Sequence, residues 1–166
     1  MSLKEDLITE LESTRREYHL LVESVPEATY RSPSANPAWS IGDVLYHITL
    51  GPPAIRVEIW IILHAGWLFS TLLNNRTAGI FNWGNALFAR HPKRIAPASL
   101  TQAYDRGHAG LLASLRKMRE DDLSKSIKYP EAFVGELAGV VTVERLLRYI
   151  RDHFEVHAGQ IRGRLG

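Results

Sequence analysis

The chain of 166 residues contains no cysteine. That absence removes disulfide bridges, thiolate metal sites and a cysteine nucleophile together, and it fits a reducing compartment, so a cytoplasmic protein is expected. An excess of one charge is lacking too. Twenty Lys and Arg stand against eighteen Asp and Glu, a formal charge of +2, and the two signs interleave without a block. The pI near 9.0 overstates this small surplus, and a nucleic-acid partner is not expected. There is no apolar run long enough for a bilayer. The most apolar stretch, 59–73, carries His64 and falls short of the roughly 20 residues a span needs. Charge within the first six residues argues against a secretory signal. No repeat or low-complexity tract is present.

What is there reads as one soluble domain over residues 1–166, with 45% hydrophobic and 23% charged residues, large enough to bury a core. Ser2-Leu3-Lys4-Glu5 is a capping box, in which a hydroxyl and a carboxylate satisfy free amides reciprocally. Leu7, Leu11, Tyr18, Leu21 and Val25 then mark one face of a helix that stops at Pro26. A second helix is expected from Ser40, with Ile41, Val44, Leu45 and Ile48 as its apolar face. Gly51-Pro52-Pro53 interrupts it, and two missing donors predict a kink or restart there before the helix continues to about Leu73. Residues 74–97 read as a long connection able to cover a pocket. Ser99-Leu100-Thr101-Gln102 is a second capping box, opening a third helix to about Arg119. Thr142 caps a last helix, with Glu144 in its first turn and Arg162 and Arg164 at its end, both favoured by the helix dipole. No convincing strand is present, Gly139-Val140-Val141 being the nearest. The fold class expected is an all-α four-helix bundle.

Seven histidines are more than a core needs. His91 reads as a solvated loop residue, His19 as partly exposed, His64 as packed or interfacial, and His108 as a satisfied core residue. His153 and His157 are different: four residues apart, they project from one helix face beside the buried stripe, where unpaired polar rings are costly. In a bundle, a pair on one helix completed by a ligand from another is a common way to hold a metal, and His47 supplies that third ring. Three neutral imidazoles with open positions suit Zn²⁺, Ni²⁺ or Fe²⁺. The competing reading is three unrelated histidines.

Trp39-Ser40 followed by His47, and then His153-x-x-x-His157-x-x-Gln160-Ile161, resembles the DinB-like superfamily of metal-binding, maleylpyruvate-isomerase-like four-helix bundles. The resemblance covers nearly the whole chain, including Phe81-Asn82 in the long connection between helices 2 and 3. It implies an up-down-down-up topology, homodimers, and a divalent metal held by His47, His153 and His157. It also implies chemistry with a low-molecular-weight thiol cosubstrate, as in thiol-dependent S-transferases, or a role in resistance. Gly51-Pro52-Pro53, one turn past His47, departs from the usual pattern.

Two classes of function follow. One is a metal-dependent enzyme, a thiol S-transferase or hydrolase acting on a small electrophile, in which a Lewis acid lowers the pKa of a thiol or water. The other is a protein that binds or sequesters a small molecule in the same cavity without chemistry. A third reading is a structural bundle whose dimer interface is built from Ile59, Ile62, Trp67 and Leu68. Asp43 either orients an imidazole or caps its helix, Gln160 either contacts a metal ligand or serves packing, and Tyr46 and Tyr149 are weaker candidate proton donors.

Overall fold

A computed structural model of the protein describes residues 2–72, 96–129, 137 and 139–165. Helices α1 (Leu3–Ser24), α2 (Ile41–Leu72), α3 (Pro97–Lys117) and α4 (Val143–Leu165) form the expected four-helix bundle. Local chemistry sets most of the ends. The Ser2 hydroxyl accepts from the Glu5 amide at 3.2 Å while the Glu5 carboxylate accepts from the Ser2 amide at 2.7 Å. Ser40 and Asp43 close the same kind of box at the start of α2, and the Thr142 hydroxyl accepts from the Arg145 amide at 3.1 Å. The second capping box expected at Ser99 does not form. Pro97 already has the φ of a first turn, so α3 begins after Ala96, without a side-chain cap.

The relative directions of the helices follow from which residues meet. Arg15 bonds Asp105 and Lys4 bonds the carbonyl of Met118, so α1 and α3 run antiparallel. Gly107 of α3 abuts Pro53 and Gly110 abuts Arg56, so α2 and α3 run parallel. Arg148 pairs with Glu10 and Arg151 with Glu17, which makes α1 and α4 parallel as well. The topology is up-down-down-up, as the resemblance implied. Each of α1 and α2 packs on both α3 and α4, so α1 faces α2 across the diagonal, where the Tyr18 hydroxyl donates to the Leu45 carbonyl at 3.0 Å. Parallel neighbours need a long crossover. The connection from α2 to α3 includes residues 73–95, so His91 and Phe81-Asn82 lie outside the described residues.

Two features differ from the sequence reading of α2 and of the third loop. The backbone stays helical through Pro52 and Pro53, and Ala65 (φ −139°, ψ 19°) is where it leaves helical geometry. Tertiary space explains this. Gly51 has no Cβ to crowd the following proline, and Gly107 leaves room for the Pro53 ring, whose Cδ would lie 2.7 Å from a Cβ there. The second difference is a small antiparallel sheet, β1 (Ser126–Tyr129) with β2 (Gly139–Thr142), in register from Ser126 opposite Thr142 to Tyr129 opposite Gly139.

The core lies in two clusters along the bundle. Leu7, Leu11, Ile55, Leu111, Leu146 and Ile150 belong to one, and Tyr18, Leu45, Ile48, Tyr104, Phe154 and Ile161 to the other. Ile59 and Ile62 are 1% and 7% exposed, so they are core residues and cannot form the dimer interface suggested for them. Trp67 and Leu68 lie outside the described side chains.

Candidate metal centre

The histidines stand on α2 and α4 beside residues of the second core cluster in sequence, Leu45 and Ile48 around His47 and Phe154 and Ala158 beside the other two. His47 stands two turns into α2, and His153 and His157 one turn apart on α4, which packs antiparallel to α2. His47 Nε2 and His153 Nε2 are 3.0 Å apart. Ring centroids are 4.9 Å apart for His47 and His153, and 4.6 Å for each pair with His157. One ligand nitrogen from each ring lies within 4.8 Å of the other two, and the group is histidine-only among the described residues. The chain thus brings together residues 106 positions apart, near enough that small ring movements would give the roughly 3.3 Å between ligand nitrogens that a tetrahedral ion bonded at about 2.0–2.1 Å asks for.

Neighbouring side chains fix the rings. Gln160 Oε1 lies 3.0 Å from His157 Nδ1, so Nδ1–H donates and the lone pair of Nε2 is left for the cluster. Trp39 tilts against His47 at 4.7 Å and stacks on His157 at 5.8 Å, with 23° between the planes. Gly51 lies under His153: a Cβ there would be 3.3 Å from Nδ1 of that ring. Tyr149 has its ring 5.9 Å from that of His153, while Asp43 serves the capping box of α2.

Burial and mutual proximity keep these rings neutral. Burial, then the neighbouring His157, lowers the pKa of His47 to about 4. Burial holds His153 well below the ordinary histidine value, with His157 and His47 acting in the same direction. His157 is lowered by burial and partly restored by Gln160. Near pH 7 the cluster therefore offers uncharged lone pairs, the form in which imidazole binds metals. Two neutral rings meeting at Nε2 share at most one hydrogen bond, and His47 Nδ1 is buried without a protein partner. The donor set fits a divalent transition metal better than it fits itself.

The remaining histidines take other roles. His19 pairs with Asp105 at 2.8 Å. His108 is a core residue, 3% exposed, with Nε2 3.5 Å from a Glu12 carboxylate oxygen. His64 is exposed rather than packed.

The chain shares its fold with proteins of known structure. YfiT from Bacillus subtilis, a probable metal-dependent hydrolase with an unusual four-helix bundle topology, is one such neighbour. It superposes at a TM-score of 0.69 over 96% of this chain and 84% of its own, at 16% identity. The mycothiol-dependent maleylpyruvate isomerase superposes at 0.67 over 97% of this chain, at 14% identity, and a point mutant of that enzyme does so at 0.66. The chain spans 61% of the isomerase's length. No protein-family model matches the chain, and no curated protein matches it in sequence. At these identities the likeness is one of fold.

Proposed function

We propose that this is a DinB-like metal-binding protein in which His47, His153 and His157 hold a divalent transition metal, and that it is a metal-dependent enzyme acting on a small electrophilic substrate. The observation that carries the reading is the convergence of three neutral imidazoles, one nitrogen of each within 4.8 Å of the others. When bound, the ion would supply Lewis acidity able to lower the pKa of a thiol or of water. The chain's own residues prepare the place for it. Gln160 holds the His157 tautomer, Trp39 shields two rings from water, and Gly51 gives His153 its position. No side chain of this protein can serve as the thiol, because cysteine is absent. A thiol must arrive as a low-molecular-weight cosubstrate, and without one the reaction is a hydrolysis. The thiol dependence of one fold neighbour and the probable metal-dependent hydrolysis of the other support these two alternatives equally.

The proposal extends to one domain over residues 1–166, working as a cytoplasmic homodimer. No described helix is long and apolar enough to cross a membrane.

Elemental analysis of the purified protein is expected to find close to one transition-metal ion per chain, lost in His153→Ala. Turnover is then assayed with a panel of low-molecular-weight thiols and an aryl halide, and with activated esters for hydrolysis. It is expected to vanish in His153→Ala while circular dichroism keeps the helical signature. Wild-type turnover in that variant would overturn the catalytic reading. Ligand binding that survives metal removal, with no turnover, would replace it with sequestration.

A further inference from the structure

The side of α2 turned away from α4 carries a second site. A groove of about 900 Å³ runs between α2 and α3, lined on the α2 side by Pro53, Val57, Trp60 and Leu63. None of the three clustered histidines lines the groove, and Trp60 is thirteen residues beyond His47, about 20 Å along the helix at 1.5 Å per residue. Trp60 and Val57 are each 58% exposed, a large apolar surface for two neighbouring turns of one helix.

The polar lining is one-sided. Arg56, Arg106 and Lys117 all line the groove. Among the described residues none of the three has an ion-pair partner, whereas Arg15, Arg145, Arg148 and Arg151 elsewhere on the bundle are each paired. Asp122, the one carboxylate among the described residues of the lining, is engaged by Lys125 at 2.8 Å and by the Arg119 amide at 2.9 Å. The floor is shaped for its cation as well: Arg56 lies so close to α3 at Gly110 that a Cβ there would be 2.8 Å from its Nη1. Glycines at 107 and 110 thus open the space between the two helices.

An apolar trough with an exposed indole and three cations that have no ion-pair partner among the described residues is complementary to one kind of ligand. We propose that this groove binds organic anions with an apolar body, a carboxylate or sulfonate carried on an aromatic ring or alkyl chain. The volume is near the upper end of small-molecule pockets. The apolar part lies against Trp60, Val57 and Leu63, and the anionic group meets Arg106, Lys117 and Arg56, where charge gives selectivity over neutral analogues.

The test uses the full-length protein and 8-anilinonaphthalene-1-sulfonate as a fluorescent probe. The dye is expected to bind saturably and to be displaced by decanoate, with decanol and decyltrimethylammonium about tenfold weaker or worse. The double charge reversal Arg106→Glu/Lys117→Glu is expected to weaken dye and decanoate about tenfold while lowering the melting temperature by only a few degrees, since both positions are exposed and Lys117 loses only its favourable place in the last turn of α3. Trp60→Ala is expected to weaken both ligands, and the His153→Ala variant to leave them unchanged. Equal competition by decanol and decanoate, or indifference to charge reversal, would overturn the proposal. So would the absence of dye binding. It would equally fall if sedimentation showed a dimer that Trp60→Asp dissociates and the dye bound only the resulting monomer, because the groove would then belong to a second copy of the chain.

Discussion

Replacing Gly51 by alanine separates the helix from the site it supports. In an ordinary helix interior, Gly→Ala stabilises by about 0.5–1 kcal/mol. Gly159 shows that case: it is helical, exposed, and a Cβ there meets nothing within 4 Å. At Gly51 two effects oppose the gain. The residue precedes Pro52, where a Cβ crowds the proline ring in helical geometry. The new methyl would also lie 3.3 Å from Nδ1 of His153 and 3.8 Å from Cδ1 of Ile150, so the imidazole must retreat by a few tenths of an ångström. Gly51→Ala is therefore expected to give no gain in metal-free stability, while Gly159→Ala gives up to about 1 kcal/mol. The displaced ring is expected to weaken metal binding about 10- to 100-fold, the range seen when groups that orient a ligand are disturbed. That corresponds to about 1.4–2.7 kcal/mol. Urea denaturation of the stripped proteins gives the first quantity, and competition with a chromogenic chelator for Zn²⁺ gives the second. If Gly51→Ala holds zinc within twofold of the wild type, His153 is not a ligand constrained in the way described. If Gly159→Ala loses affinity to the same extent, the effect is general to the helices and not local to the ring.

Three further outcomes are expected. Gln160→Leu removes the acceptor for His157 Nδ1–H and is expected to lower zinc affinity about tenfold, while Gln160→Glu, which still accepts that bond, restores it; the same chelator competition measures both. The metal-free protein is expected to lose stability on acidification, because the three rings have folded pKa values below the 6.5 of an unfolded histidine and the unfolded chain then takes up more protons. For His47 the folded value is about 4, so its loss begins near pH 6.5 and is complete near pH 4, amounting to about 3 kcal/mol. Urea midpoints at several pH values check this, and a flat profile over that window would refute the burial of neutral rings. Leu146→Ala, at a fully buried core position, is expected to cost about 2–5 kcal/mol through the cavity it leaves, read from the same denaturation curves.

The helices were legible because apolar residues recur at 3.6-residue spacing over twenty residues or more, and because Ser2, Ser40 and Thr142 carry the hydroxyls their first turns need. The four-residue strands were not, since Val140 and Val141 are too short a run to outweigh their helical surroundings and their partner, β1, lies ten residues back. At Pro52 and Pro53 the local rule was sound, yet the expected break is absent because Gly51 and Gly107, one of them on another helix, provide the space that proline needs. The break at Ala65 has no comparable mark in the sequence beyond the glycine that follows it. In the candidate site, the pair His153 and His157 could be read from spacing alone. Joining it to His47 needed bundle logic and a resemblance, since 106 residues separate His47 from His153. The supporting contacts of Trp39 and Gly51 follow no periodicity and arise only when α2 meets α4.

Because α1 and α4 run in the same direction, their outer ends lie at opposite poles of the bundle. Leu3 is at one pole; Leu165, at the other, is eight residues past His157, about 12 Å of helix. An affinity handle fused after the last helix would therefore hang beside the imidazoles, and one made of histidines could load, bridge or compete for the very ion being sought. Fused before Ser2, the same handle is held off by the length of the bundle.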